Sequence, residues 1–228
     1  MAEVVVALDL PSADEALRLV DLLPGLRWGK VGPMLFLESG PTIVRRLKER
    51  GVRVFLDLKW HDIPHAVAGA VRAARELGVD LATVHTLGGA GMMARAAEAA
   101  GPMRVVGVTV LTSHTPADYW RAIGRDGGAE GGVGPDVVRL AREAMRAGLS
   151  GVVASPLEIG EIRHLVGAAG VLVVPGIRPG GMAADDQRRT MDPRTAAAAG
   201  ATHLVIGRPI TGASDPRAVY EEVCEAAA

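Results

Sequence analysis

The sequence predicts an α/β fold: a single-domain (β/α)8 TIM barrel of eight parallel strands, spanning residues 1–228. Two observations predict it. Short, β-branched, almost wholly apolar runs recur eight times, as expected of strands covered on both faces by helices. Between them lie Ala/Leu/Arg-rich segments with helical patterning, evenly spread, with no linker or shift in composition. An open doubly wound sheet is the main competitor, and the even repeat favours closure.

The first strand is "EVVVALDL" (3–10), apolar until Asp9. "SADEALRLVDLLP" follows as a helix, with Ser12 as its N-cap and Glu15 three residues on, a capping-box spacing. The second strand, "WGKVG" (28–32), carries Lys30. The third, "VRVFLDLK" (52–59), carries Asp57 and Lys59, two apart and therefore on one face. Asp62 lies just beyond, before Pro64 opens a helix that stops at Gly78. The fourth strand, "DLATVHT" (80–86), brings His85, read as pocket wall or packed core. The fifth, "RVVGVTVLT" (104–112), brings Thr112, and the sixth, "GVVASP" (151–156), Ser155. "VLVVPGI" (171–177) and "THLVIGRP" (202–209) complete the set and run into Arg178 and Arg208. Two stretches interrupt the rhythm. "GRDGGAEGGVG" (124–134) lacks the Gly-Lys-Ser/Thr ending of a P-loop and reads as a connection between two helices. "GGMAADDQRRTMDP" (180–193) is polar, Gly-led and long enough to serve as a lid.

Composition narrows the function. Hydrophobic residues make up 49% of 228 residues, enough for a sizeable core, and the formal charge of −1 gives no footprint for nucleic acid. No apolar run approaches the roughly 20 residues of a membrane span. The N-terminus reads as a strand, not a signal peptide, so a cytoplasmic location is expected. A single cysteine, Cys224, excludes an internal disulfide and a multi-cysteine metal site. His61 and His65 flank Pro64 and do not form the helical two-His zinc pattern, so no metal is expected. Of 25 basic residues only Lys30, Lys48 and Lys59 are lysines. In a chain that otherwise uses arginine, a surviving lysine points to a place where an ammonium is needed, because a guanidinium does not give up its proton. Lys48, in the charged helix end "RRLKERG", reads as solvated, which leaves Lys30 and Lys59.

In such barrels the active site lies at the C-terminal ends of the strands, where these polar residues gather. Loops after the seventh and eighth strands often bind phosphate. Here they offer Gly176, Gly180, Gly181 and Gly207 for close backbone approach, with Arg178 and Arg208 as donors. An ion-pair ring that merely finishes the barrel end is the structural alternative.

"DLKWHDIP" resembles the Asp-x-Lys-x-x-Asp-Ile-Pro signature of the orotidine 5′-monophosphate decarboxylase family, bacterial type. The likeness runs along the chain through "ALD" (7–9), "KVG" (30–32), "VTVLTS" (108–113), "PGIRP" (175–179), Gln187 and "GRPIT" (207–211). It implies decarboxylation of orotidine 5′-monophosphate to uridine 5′-monophosphate without a cofactor. Lys59 would be the catalytic ammonium, Asp57 would sit beside the substrate carboxylate, and Lys30 and Asp62 would complete a charge array. It further implies a homodimer, with Asp62 shared across the interface. Asp9 and Lys30 would hold ribose hydroxyls, Thr112 would lie near the pyrimidine, and Gln187 would bridge base and phosphate. Arg178 belongs to the substrate-binding loop, and Gly207 with Arg208 would grip phosphate. Members often continue Asn-Thr where this chain has His65-Ala66, so the polar contact offered by that Thr is missing here. Mg²⁺-dependent sugar-phosphate lyases and decarboxylases share the Asp-x-Lys-x-x-Asp core but place an acid at the position of Lys30. They remain the enzyme alternative, beside a nucleotide-binding barrel without turnover.

Overall fold

A computed structural model describes residues 2–125, 132–179 and 190–228. Eight parallel strands close in sequence order, each hydrogen-bonded to its neighbours and the last to the first. They are β1 (Glu3–Ala7), β2 (Trp28–Val31), β3 (Arg53–Trp60), β4 (Leu81–His85), β5 (Arg104–Val108), β6 (Gly151–Val153), β7 (Val171–Val174) and β8 (His203–Ile206). Among the described residues the α-helices are α1 (Ala13–Leu22), α2 (Pro33–Ser39), α3 (Thr42–Glu49), α4 (Pro64–Glu76), α5 (Gly89–Ala100), α6 (Pro116–Ala122), α7 (Gly134–Arg146), α8 (Ile159–Val166) and α9 (Pro193–Ala198) between strands, with α10 (Arg208–Thr211) and α11 (Pro216–Ala227) after β8. The closed eight-stranded barrel is the predicted fold.

Alternation along the strands splits the core in two. One set of side chains fills the barrel: Val5, Trp28, Phe55, Leu81, Val106, Val171, Val173 and Val205 are among them, all nearly or fully buried. The opposite set, such as Val4, Val6, Val54, Leu56, Ala82 and Val84, packs outward against the helices. The barrel is thus a filled core rather than a pore. Trp28 closes its base. His203 meets it edge-on at 5.1 Å, and the Arg53 guanidinium lies 5.5 Å from its ring centre.

Local signals act where the sequence places them. Ser12 Oγ accepts the Glu15 N–H and caps α1. Pro64 stands in the first turn of α4, and Gly78, just past its end, has φ +82°. Of the Gly-rich stretch 124–134, residues 126–131 lie outside the described residues, and Gly134 opens α7. The strands, however, end sooner than the apolar runs suggest: β5 stops at Val108, β6 at Val153 and β7 at Val174. Thr112, Ser155 and Arg178 therefore belong to the segments leaving these strands.

Candidate active site

A cavity of about 470 Å³ opens at the C-terminal ends of the strands. Its floor is apolar, from Phe55, Val108, Val153, Val173 and Val205. Its wall carries Asp9, Lys30, Asp57, Lys59, Thr112, Arg178, Gly207 and Arg208. With Gly176, which also lines it, nine of the sequence-predicted residues surround one space. Asp62 does not line it. It is exposed ahead of α4, where its carboxylate accepts the N–H of Ile63 at 2.6 Å. Gln187, Gly180 and Gly181 lie outside the described residues.

Charges alternate along one side of the cavity. Asp9 accepts from Lys30 Nζ through both oxygens, at 2.9 and 3.0 Å. Lys30 lies 3.8 Å from Asp57 Oδ2, which accepts from Lys59 Nζ at 2.9 Å. Lys30 is 8% exposed and Asp57 9%, so each is a charge that must be paired to be tolerated there. The Lys59 side chain is 38% exposed and reaches the open space. A cation held beside a carboxylate, with one side free, is arranged to meet negative charge on a ligand.

The backbone delivering this array is irregular. β3 and β4 pair at Leu56–Ala82 and again at Trp60–Val84, so residues 57–59 stand opposite Thr83 alone. This is a β-bulge, a device that re-aims side chains beside functional sites. Lys59 sits in it at φ +49°, the sole non-glycine residue with positive φ among the described residues. That conformation costs a non-glycine residue about 1–2 kcal/mol.

Two contributors escaped sequence reasoning. Thr83, fully buried, accepts the Lys59 N–H at 2.8 Å and donates to Asp57 Oδ1 at 3.0 Å. Its signal was a polar residue between Leu81 and His85 on the inward face of an apolar strand. Gly32, just after β2, gives the array room: a Cβ there would stand 2.7 Å from Asp9 Oδ1 and 3.3 Å from Lys30 Nζ, and that ion pair would have to shift. Sequence carries no separate signal for that crowding. Gly207 differs, since an added Cβ would meet nothing nearer than Ala7 Cβ at 3.5 Å. Neighbouring side chains do not force glycine there, and its absence of a side chain keeps backbone open toward the cavity.

His85 lies beside this wall and stacks on His61, ring centres 5.5 Å apart. Burial first, then His61, Lys59 and His114, push its pKa down to about 4, so it stands neutral at physiological pH. Among the described residues, no three His, Cys, Asp or Glu side chains are grouped to hold a metal ion, and no helix is long and apolar enough to cross a membrane.

The chain matches the family model of the orotidine 5′-phosphate decarboxylase / HUMPS family over residues 2–223. A curated orotidine 5′-phosphate decarboxylase of Halorhodospira halophila is 49% identical over 219 residues, covering 94% of this chain and 91% of its own length. That of Gloeothece citriformis is 43% identical over 226 residues, covering 97% and 96%. Among solved structures, orotidine 5′-phosphate decarboxylase from Lactobacillus acidophilus superimposes with a TM-score of 0.85 at 32% identity, over 100% of this chain and 99% of the other.

Proposed function

The chain belongs to the orotidine 5′-phosphate decarboxylase / HUMPS family, and from that premise we propose that it is a cofactor-free, cytoplasmic carboxy-lyase that converts orotidine 5′-monophosphate to uridine 5′-monophosphate. The observation that carries the reading is the alternating array Asp9–Lys30–Asp57–Lys59 on the wall of one cavity.

The reaction breaks the bond between C6 of the pyrimidine and its carboxylate. CO₂ leaves and the electron pair stays on C6, where no adjacent sink can take it up. Fixed charge must then stabilise it. The Lys59 ammonium, held by Asp57, faces that position and delivers its proton to C6, after which the neutral amine regains a proton from solvent. Asp57 sits beside the substrate carboxylate and keeps Lys59 oriented. Asp9 and Lys30 hold ribose hydroxyls, and Thr112 lies near the base. Arg178, Gly207 and Arg208 grip the phosphate on the adjoining arc, in the segments leaving β7 and β8, with Gln187 bridging phosphate and base. Binding energy from this remote handle lowers the barrier at C6.

The array within one chain leaves out Asp62, which is supplied by a second copy in a homodimer. Support comes from the segments leaving β2, β3 and β4, which expose Met34, Leu37, Ile63 and Leu87; Leu37 is 85% exposed and Ile63 67%. Apolar side chains of this size are normally covered by a partner when they cluster.

The test is spectrophotometric. With EDTA present, orotidine 5′-monophosphate should lose its absorbance and yield uridine 5′-monophosphate. Turnover that requires added Mg²⁺ would point to the metal-dependent relatives. Tight binding of uridine 5′-monophosphate without turnover would point to a nucleotide-binding barrel.

A further inference from the structure

We propose that Thr83 is a positioning residue for the reaction: its single hydroxyl both holds the strained backbone of Lys59 and locks the carboxylate of Asp57. The inference rests on the functional reading above, because it assigns Lys59 and Asp57 their roles in the chemistry.

The hydrogen-bond roles at Thr83 are forced. A hydroxyl has one proton to give and two lone pairs to receive with. The Lys59 N–H can only donate, so Thr83 Oγ1 accepts it, at 2.8 Å. The ionised carboxylate can only accept, so the hydroxyl proton goes to Asp57 Oδ1, at 3.0 Å. Asp57 Oδ1 is thereby engaged from the strand side. Oδ2 is left for Lys59 Nζ at 2.9 Å and Lys30 Nζ at 3.8 Å. One side chain on β4 thus fixes which oxygen meets the lysines.

The backbone contact matters as much. In the bulge, three residues of β3, 57–59, stand opposite one residue of β4. The Lys59 N–H therefore bonds a side chain in place of a ladder carbonyl. Lys59 is held at φ +49°, a conformation that persists only where surrounding structure over-determines it. Thr83 is fully buried, so water does not readily take over either bond. Remove the hydroxyl, and an amide and a carboxylate oxygen lose their partner together. Lys59 then relaxes and its ammonium drifts from C6. Ångström-scale misplacement of that kind costs rate more than binding.

Valine tests this, being threonine's shape without the hydroxyl. Thr83→Val should lower kcat about 10- to 100-fold, while KM for orotidine 5′-monophosphate and the affinity for uridine 5′-monophosphate stay within about threefold. Thr83→Ser, which keeps both bonds, should recover kcat to within about threefold of the parent. If Thr83→Val does not fold, Thr83→Cys makes the same comparison, since a thiol fits the space but is a weak donor and acceptor. Wild-type kcat in the folded variant lacking the hydroxyl overturns the proposal. So does an equal loss in Thr83→Ser, or a loss carried by KM. Absence of turnover in the parent protein would instead overturn the functional reading, and this inference with it.

Discussion

At the scale of single residues, the site depends on which cation stands where. Lys59 and Lys30 are the two lysines of the array, in a chain that otherwise prefers arginine. Both ammonium groups contact carboxylates, yet they differ in access: Lys30 is buried among Asp9 and Asp57, whereas Lys59 reaches the open cavity. Only the second is placed to hand over a proton. Lys59→Arg keeps the charge and the partner Asp57 but removes a transferable proton. It should lower kcat roughly 10²- to 10⁴-fold, the usual contribution of a positioned general acid, with circular dichroism and melting temperature little changed. Turnover near that of the parent would show that charge alone suffices. Lysine scarcity makes this residue legible in the sequence. Gly32 was not legible, because its need arises from atoms of Asp9 and Lys30 that meet it only once β1 and β2 are side by side.

At the scale of elements, strand starts were plain in the sequence and strand ends were not. β-branched runs announce where the ladder begins. Extended backbone, though, continues past the last ladder bond, and Thr112 lies in such a stretch beyond Val108. The bulge in β3 was also hidden: "DLKW" alternates as a regular strand would, and the irregularity exists only in its pairing with β4. The base of the barrel offers a test at this scale. His203 opens β8 against Trp28 of β2 and is 4% exposed. Burial, with Arg104 and Arg53 adding repulsion, pushes it down from 6.5 to about 4. Between those two values the unfolded chain binds the proton more readily than the folded one. Stability therefore falls as pH drops from 6.5 to about 4 and levels off below. The full effect is on the order of 3 kcal/mol. His203→Gln should flatten the melting temperature against pH across that window, as followed by scanning fluorimetry. An unchanged slope would place the acid sensitivity elsewhere, with His85 the other histidine depressed to about 4.

At the scale of the whole molecule, the barrel brings Asp9, just past β1, together with Lys30 of β2 and Asp57 and Lys59 of β3, and leaves Asp62 outside the cavity. If a second copy supplies it, a site needs Lys59 from one chain and Asp62 from the other. Lys59→Ala and Asp62→Ala proteins, each nearly inactive alone, should then complement when dissociated and reassociated together. Random pairing makes half the dimers mixed, each with one intact site, so about a quarter of parental activity should return. No recovery in dimers shown to be mixed would place all the required groups within one chain. The closed ring has one more consequence. Two neighbouring arcs of the ring line the cavity: the charged residues at the ends of β1 to β3, and Arg178, Gly207 and Arg208 in the segments after β7 and β8. The two sets stand on separate strand-to-helix segments, so side chains of one can be exchanged without altering the sequence of the other. On the proposed function, a lineage built on this plan is free to keep its phosphate handle and rewrite the charged wall, and so to inherit recognition while inventing chemistry.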